Sequence, residues 1–225
     1  MKVYIGYDSR EQAAFDVAVK TARSFGCEVV PVYEDRLRSN GMLTRPLDRR
    51  GNMWDLNSSA PQSTEFAISR FFVPLLAHSG WCLAVDCDVV FLNAPHELLD
   101  FIDESKAVMV VKHEPFTVAG MKMDGQLQTV YDRKNWSSVV LWNVNHPANR
   151  RLSLLTLNQW PGIDLHGFRW LADSEIGSLP AEANWLVSVQ KKPAVPIIAH
   201  FTLGGPWIDG WTPREYDEIW TEASQ

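Results

Sequence analysis

The first part of the chain alternates between short apolar runs and a segment with helical periodicity. Residues 2 to 7 form an apolar run that predicts a strand. Apolar positions between Gln12 and Ser24 recur at helical spacing, and Gly26 ends the helix that they predict. Residues 28 to 33 are rich in β-branched side chains and predict a second strand. A strand, a helix and a second strand in this order indicate a parallel α/β sheet.

The middle of the chain combines an irregular segment, a helix and a buried strand. Residues 34 to 62 are polar and follow no clear period, which predicts a long segment without regular structure. Ser63 or Thr64 is placed to cap a helix that Pro74 bends or shortens. Residues 81 to 85 are continuously apolar, as in a strand that is buried on both faces of a parallel sheet.

The rest of the chain continues with short strands and helices. We expect strands at residues 107–111, 137–143 and 195–201, and helices at residues 95–102, 148–159, 170–176 and 213–222. The sequence contains no internal repeat, low-complexity segment or shift in composition that would mark a domain boundary. It therefore predicts one α/β domain over residues 1–225.

Charge and composition exclude several classes of function. The formal net charge of −6 argues against a nucleic-acid partner, because binding phosphates requires a basic face. Apolar runs fall short of the roughly 18 to 20 residues of a transmembrane helix, so we expect no transmembrane segment. Met1 leads directly into the first predicted strand, without the pattern of a secretory signal. Cys82 and Cys87 lie in apolar surroundings as expected buried thiols, which favours a cytoplasmic location.

Asp86 and Asp88 directly follow the buried strand at residues 81 to 85. In open α/β sheets, ligands bind beyond the carboxyl ends of the strands. Two nearby aspartates together with substrate phosphates suit a hard divalent ion such as Mg²⁺ or Mn²⁺. The pattern predicts a metal-binding pair, although a solvated strand end that turns would also produce it.

Other classes of protein share parts of this pattern. Haloacid-dehalogenase-like phosphatases also have D-x-D after an apolar strand, and Asp86 would be their nucleophile. The pair lies late in the chain for that class, and Val89 rather than threonine follows it. A nucleotidyltransferase would need a Gly-rich basic loop that residues 5 to 10 match poorly. A carbohydrate-binding module is suggested only by the ten tryptophans.

His200 ends the last predicted strand and begins the segment His-Phe-Thr-Leu-Gly-Gly-Pro-Trp. A neutral imidazole at a strand end is able to complete a metal site with two aspartates, although taken alone it is more typical of a core or turn histidine. Gly204 and Gly205 allow backbone N–H groups to approach a pyrophosphate closely.

Four segments occur in a characteristic order: Asp8 after the first strand, residues 63 to 70, the pair Asp86 and Asp88, and residues 200 to 207. This combination resembles the glycogenin-like, family 8 type of retaining glycosyltransferase. The resemblance implies a GT-A fold, with a Rossmann-like, mostly parallel sheet flanked by helices. It also implies metal-dependent transfer of a hexose from a UDP-sugar donor to a carbohydrate or other small acceptor, with retention of anomeric configuration.

The resemblance further implies roles for individual residues. The implied metal ligands, for Mn²⁺ or Mg²⁺, are Asp86, Asp88 and His200. The implied donor-binding residues are Gly6, Tyr7, Asp8, Arg70, Asp86, Gly204, Gly205 and Trp207. The implied catalytic residues are Arg70, Asp173 and Glu175, the last two in a stretch that is similar to the acidic D-Q-D of the family.

The sequence departs from the family pattern at two points. Ser174 occupies the place of the glutamine in D-Q-D. Gly205 occupies the place of a lysine that often holds the diphosphate, so backbone N–H groups, Lys191 or Lys192 would have to replace it.

The segment at residues 34 to 62 would close over the bound donor and exclude water.

Overall fold

The computed structural model of the protein describes residues 1–50, 53–114 and 133–225. The strands are β1 (Lys2–Gly6), β2 (Glu28–Val32), β3 (Leu47–Asp48), β4 (Trp54–Asp55), β5 (Ala60–Pro61), β6 (Trp81–Val85), β7 (Val89–Phe91), β8 (Val108–Val110), β9 (Val139–Asn143), β10 (Ile176–Ser178), β11 (Trp185–Leu186) and β12 (Ile198–His200). The α-helices are α1 (Gln12–Ser24), α2 (Glu34–Ser39), α3 (Phe66–Ser69), α4 (Val73–Leu76), α5 (Leu154–Gln159), α6 (Gly162–His166) and α7 (Asp217–Ser224).

The central sheet has six strands in the order β10-β8-β9-β6-β1-β2. All neighbouring strands are parallel except β9, which runs antiparallel to both β6 and β8. The prediction of a mostly parallel α/β sheet is therefore confirmed. The strand predicted to be buried on both faces is β6, and its residues Cys82 to Val85 are all buried.

The strand register defines two edges of this sheet. In one row across it, Cys82 lies opposite Trp142, Trp142 opposite Val108, and Val108 opposite Ile176. Val85 lies opposite Val139, the first residue of β9. The five parallel strands thus end at one edge, where β9 begins, and we call this the carboxyl edge. The sites of open α/β sheets form at such an edge.

Alternate residues of the strands pack on opposite faces of the sheet, as the two-residue period of a strand requires. On one face, Trp142 stacks on Trp170 with ring centroids 6.2 Å apart, and Phe71 and Phe168 surround this pair. On the other face, α1 packs its apolar stripe, including Phe15, against the opposite side chains of the sheet. The sheet is thereby covered on both faces.

A second sheet of three strands extends from the carboxyl edge in the order β11-β12-β7. Because β7 begins one residue after Asp88, it links this sheet directly to β6. In the antiparallel pairing of β12 with β7, His200 lies opposite Val89. This pairing brings the end of a distant segment beside the two aspartates.

The prediction of an irregular segment at residues 34 to 62 is wrong. The described part of the segment contains α2 and a small antiparallel sheet of β3, β4 and β5. Arg45 anchors it, because its buried guanidinium forms an ion pair with Asp55 and donates to the backbone carbonyls of Leu157 and Trp160. Strands of two residues are too short to show a period in sequence, so tertiary contacts determine this structure.

Several predicted helices are shorter or differently placed in the structure. The helix expected after residue 63 is divided into α3, a 3-10 turn and α4, and neither Ser63 nor Thr64 is the N-cap of α3. The helix expected at residues 148 to 159 is α-helical only in α5. The helix expected at residues 170 to 176 is wrong, since this segment forms a 3-10 turn that leads into β10. Tertiary contacts therefore override the local helical preference of these segments.

Two expectations from composition can be compared with the described residues. Cys27, Cys82 and Cys87 are all buried free thiols, as expected for the last two. Within the residues that the structure describes, each helix is too short or too polar to cross a lipid bilayer.

The ion pair of Arg45 provides a test of the packing of residues 34 to 62. Arg45→Met should lower the free energy of unfolding by about 3–5 kcal/mol, because Asp55 then carries an uncompensated buried charge. Arg50→Met is the matched control, since Arg50 pairs with Asp48 at the surface and its loss should change stability little. Urea unfolding measures both variants, and equal stabilities of the two would contradict the anchoring role of Arg45.

Candidate metal centre

Asp86 and Asp88 lie in the turn between β6 and β7, and the backbone holds both in place. The N–H of Asp86 donates to the carbonyl of Ser138 at 3.0 Å, where β9 begins. The carbonyl of Asp88 accepts from the N–H of Phe201 at 2.9 Å, just after β12. The turn is therefore fixed by both sheets at once.

His200 completes a cluster of three possible ligands with the two aspartates. Its Nε2 lies 3.4 Å from Oδ1 of Asp88. One ligand atom from each of Asp86, Asp88 and His200 lies within 4.8 Å of the other two. The structure thus brings together the three residues that were predicted as metal ligands.

A chain of hydrogen bonds determines which nitrogen of His200 carries the proton. Ser138 donates its hydroxyl to the carbonyl of Asn135, so its oxygen is left to accept from Nδ2 of Asn184 at 2.9 Å. The amide of Asn184 must then present Oδ1 to Nδ1 of His200, at 3.0 Å. Nδ1 carries the proton in the neutral ring, and Nε2 directs a lone pair toward the aspartates.

The electrostatics of the cluster favour a bound cation. Burial raises the pKa of Asp86 to about 6, although the guanidinium of Arg70, 2.5 Å from Oδ1, opposes this shift. Burial alone would lower the pKa of His200, but the charges of Asp88 and Asp86 outweigh it and the net pKa is raised. Both pKa shifts indicate the same cost. Keeping the two carboxylates ionised side by side at this site costs free energy unless a cation neutralises them.

The donor set fits a divalent ion. Carboxylate oxygens suit Mg²⁺ and Mn²⁺, and a neutral imidazole nitrogen is a better ligand for a transition metal than for Mg²⁺. The three groups come from the carboxyl edge and from β12, which leaves the ion able to bind further oxygen ligands from a substrate. We therefore describe this cluster as a candidate metal centre.

Glu11 is a buried acid next to this centre that was not predicted from the sequence. Burial and the charges of Asp88 and Asp8 raise its pKa to about 8. The thiol of Cys87 donates to its Oε2 at 3.4 Å. Glu11 is therefore largely protonated at neutral pH and adds little negative charge behind the metal centre.

The residues predicted to bind the nucleotide lie at the end of β1, beside the end of β2. The carboxylate of Asp8 is fully buried and already accepts from Arg10 and from the N–H of Glu65. Tyr7 donates its hydroxyl to Gln12 at 2.6 Å, and its ring packs 4.8 Å from that of Tyr33. Asp8 thus holds the turn after β1, while Tyr7 and Tyr33 form an aromatic surface beside it.

The glycines predicted to approach the donor have packing roles that the structure makes visible. A Cβ on Gly6 would lie 2.6 Å from the ring of Phe66, and one on Gly205 would lie 2.1 Å from the ring of Trp207. Gly204 has a φ of 92°, which favours glycine. The side chain of Trp207 packs against Phe201, with ring centroids 5.9 Å apart. A lysine at position 205 would displace Trp207.

Neither proposed replacement for that lysine is shown at the metal centre. The ammonium of Lys192 lies over the rings of Trp185 and Tyr216, 5.7 Å and 5.5 Å from their centroids. Trp185 belongs to the core of the second sheet. The described contacts place Lys192 beside this core, and the role of Lys191 stays a prediction.

Asp173 and Glu175 do not lie at the metal centre. They precede β10, and Ile176 shares a row with Cys82, which lies four residues before Asp86. The point where this turn joins β10 is thus about 13 Å back along the strands from Asp86 and three strands away, from a rise of roughly 3.3 Å per residue. Asp173 pairs with Arg133, and Glu175 pairs with Arg151 at 2.8 Å. Arg151 follows β9 at the edge opposite the site, whereas Arg133 belongs to the turn that leads into β9 at the carboxyl edge.

Several residues that surround the centre were not found from the sequence. The hydroxyl of Ser137 lies 2.8 Å from Nδ1 of His166, and its carbonyl accepts from Arg70 at 3.1 Å. His113 lies just beyond β8 at the carboxyl edge. Ser137 and Asn184 belong to 3-10 turns. Such residues carry no pattern in sequence, because only the register of β9 and β12 brings them to the site.

Comparison with known proteins identifies the family of the chain. No protein-family model matches the sequence. Protein CDI of Arabidopsis thaliana is 40% identical over 228 residues, an alignment that spans 97% of this chain and 84% of that protein. The chain belongs to the family of Protein CDI. The alignment of this CDI-family chain includes nearly all of its residues, so the metal centre lies within the shared region.

Solved structures share the fold of the CDI-family chain. The glycosyltransferase GlyE of Streptococcus pneumoniae TIGR4 superposes with a TM-score of 0.59 at 13% identity, over 99% of this chain and 59% of GlyE. The galactosyltransferase LgtC, solved with donor and acceptor sugar analogs, gives a TM-score of 0.58 at 14% identity, over 100% of this chain and 95% of LgtC. The CDI-family chain spans less than two thirds of GlyE. The fold is therefore the GT-A fold, as predicted.

The role of Asn184 in orienting His200 gives a direct prediction. Asn184→Ala removes the acceptor for Nδ1–H, so His200 loses its fixed orientation and the affinity for Mn²⁺ should fall about 10- to 100-fold. Asn145→Ala is the control, because Asn145 is exposed after β9 at the opposite edge. Calorimetric titration with Mn²⁺ measures the affinities, and an unchanged affinity in Asn184→Ala would refute the orienting role.

The raised pKa values of Asp86 and His200 predict a pH dependence. Protonation of these groups stabilises the metal-free fold at low pH, and this contribution is lost as the pH rises through about 6 and above. Because Mn²⁺ requires the deprotonated ligands, its stabilising effect should be larger at pH 7.5 than at pH 5.5. Melting temperatures with and without Mn²⁺ test this. An equal rise in melting temperature on addition of Mn²⁺ at both pH values would contradict the assignment of the ligands.

Proposed function

We propose that the protein is a metal-dependent, retaining glycosyltransferase that transfers a hexose from a UDP-sugar to a carbohydrate or other small acceptor. The observation that carries the proposal is the cluster of Asp86, Asp88 and His200 at the carboxyl edge of a GT-A sheet. The sequence resemblance to family 8 supports the donor, the sugar class and the stereochemistry.

The proposed donor lies across the carboxyl edge. Its nucleoside would occupy the ends of β1 and β2, beside Gly6, Tyr7 and Asp8, where the ring of Tyr7 offers an aromatic surface. Its diphosphate would meet the metal centre and the backbone after His200. A bound divalent ion would neutralise the charge that develops on the departing diphosphate.

Arg70 has two tasks in this proposal. Its guanidinium is held by the carbonyls of Phe66 and Ser137, and it contacts the carboxylate of Asp86. This fixed contact orients Asp86 as a ligand. The positive charge also lies where negative charge grows on the leaving group, which lowers the barrier without reorganisation of the site.

The position of the acidic residues before β10 affects the choice of mechanism. Because Glu175 precedes β10 at the opposite edge and Asp173 is already paired with Arg133, we do not propose either as a nucleophile or as a contact of the sugar. A front-face route, in which the leaving group and the acceptor share one side of the sugar, requires no protein nucleophile. We therefore favour that route over double displacement.

The phosphatase alternative uses the same residues differently. As a haloacid-dehalogenase-like nucleophile, Asp86 would need free access to a phosphoryl group. Arg70 instead occupies Oδ1 of Asp86 at 2.5 Å, and His200 adds a nitrogen ligand beside the pair. Trapping of a phospho-aspartyl adduct with beryllium fluoride would decide in favour of the phosphatase.

A panel of nucleotides with Mn²⁺ tests the proposal. UDP should raise the melting temperature only when Mn²⁺ is present, and one or more UDP-hexoses should release UDP on incubation. Asp88→Asn should abolish the metal-dependent shift, because it removes a charged ligand. Asp100→Asn, an exposed change beyond β7, is the matched control and should behave as the wild type.

Two outcomes would count against the proposal. Failure of every uridine nucleotide to bind in the presence of Mn²⁺ would remove its basis. Full retention of metal-dependent UDP binding in Asp88→Asn would show that the metal is held elsewhere.

A further inference from the structure

His113 is a buried histidine at the carboxyl edge that the proposed mechanism does not use. It follows β8 and is only 4% exposed. Its N–H donates to the carbonyl of Val111 at 3.0 Å, and its carbonyl accepts from the indole of Trp136 at 3.0 Å. Hydrogen bonds to its N–H and to its carbonyl therefore fix the backbone of His113.

Gln190 determines which nitrogen of His113 carries the proton. Oε1 of Gln190 accepts from the N–H of Leu186, so its amide presents Nε2 to Nδ1 of His113 at 3.1 Å. Nδ1 then accepts a hydrogen bond, and the proton of the neutral ring is on Nε2. Nε2 is buried and has no hydrogen-bond partner among the residues that the structure describes. A buried donor without a partner is costly, because it has lost its hydrogen bond to water and gained none in the protein.

The unpartnered donor lies close to the metal centre. Leu186, which holds Gln190, is the partner of His200 in the register of β11 and β12. Burial lowers the pKa of His113 to about 4, and the charge of His200 contributes to this shift. His113 is consequently a neutral N–H donor at physiological pH, suited to an uncharged oxygen acceptor such as a hydroxyl group.

The order of the strands shows which part of a donor would meet this group. β8 lies on the side of β6 that is opposite to β1, in the order β8-β9-β6-β1. A UDP-sugar with its nucleoside at β1 and its diphosphate at the metal centre extends its sugar toward β9 and β8. The neutral donor of His113 is therefore on the sugar side of the metal.

We propose that His113 donates Nε2–H to a hydroxyl oxygen of the transferred sugar and thereby selects the intact sugar nucleotide over the nucleotide alone. This inference rests on the proposed function, because it takes the direction of the donor from it. Gln190 is the positioning residue that holds the ring in the required tautomer.

Two substitutions separate the donor group from the rest of the side chain. His113→Asn keeps an acceptor near Gln190 but places no donor at the position of Nε2. His113→Gln extends an N–H group to about that position. Dissociation constants of UDP, UDP-glucose and UDP-galactose in Mn²⁺ are measured by calorimetry for each variant, with the exposed His96→Asn as the control.

We expect His113→Asn to weaken the binding of the preferred UDP-hexose about five- to tenfold, the value of one hydrogen bond, and to leave UDP binding unchanged. His113→Gln should restore most of the loss. UDP binding at wild-type strength also shows that each variant is folded. If His113→Asn fails to fold, His113→Phe provides a second removal of the donor.

The possible failures are distinguishable. Wild-type protein that binds no uridine nucleotide would overturn the proposed function itself. Wild-type binding of UDP with no change in the ratio of UDP-hexose to UDP affinity in His113→Asn would overturn the role of His113 alone. An equal loss of affinity for UDP and UDP-hexose would also overturn it, because the residue would then act on the metal centre and not on the sugar.

Discussion

The antiparallel pairing of β12 with β7 is the constraint on which the site depends. It places His200 opposite Val89 and ties the backbone of Asp88 to Phe201, so a segment more than a hundred residues later supplies the third ligand. Without this register, the turn after β6 would present two carboxylates alone. With it, two acids and a neutral imidazole converge within 4.8 Å, an arrangement that is costly unless a cation neutralises it.

The groups around the ligands serve this arrangement. Asn184, oriented by Ser138, fixes the tautomer of His200, and Arg70 forms an ion pair with Asp86. Glu11, with its pKa raised to about 8, contacts Cys87 of the turn without adding a full negative charge. The fold thus keeps the ligands ready before an ion binds, because the supporting contacts are made by residues of the sheet edge and its neighbouring turns.

Local patterns predicted the parts of the fold that depend on short-range sequence. β1, α1, β2 and β6 have clear periods or apolar runs, and the pair after β6 lies where strand-end chemistry is expected. The small sheet of β3 to β5 and the turn before β10 were missed, because packing across the chain determines them. The same limit explains the position of Glu175. Its acidic context resembles a family motif, but the register of an edge strand places it far from the metal. His113 and Asn184 had no signal in the sequence for the same reason.

The central claim is that one ion is held jointly by this cluster and by the diphosphate of a nucleotide. Pulsed electron paramagnetic resonance of Mn²⁺ bound to the protein with UDP tests this claim most directly. We expect coupling of the manganese to phosphorus from the diphosphate and to an imidazole nitrogen, with the nitrogen signal absent in His200→Ala. Manganese coupled to phosphorus but to no histidine nitrogen in the wild type would contradict it.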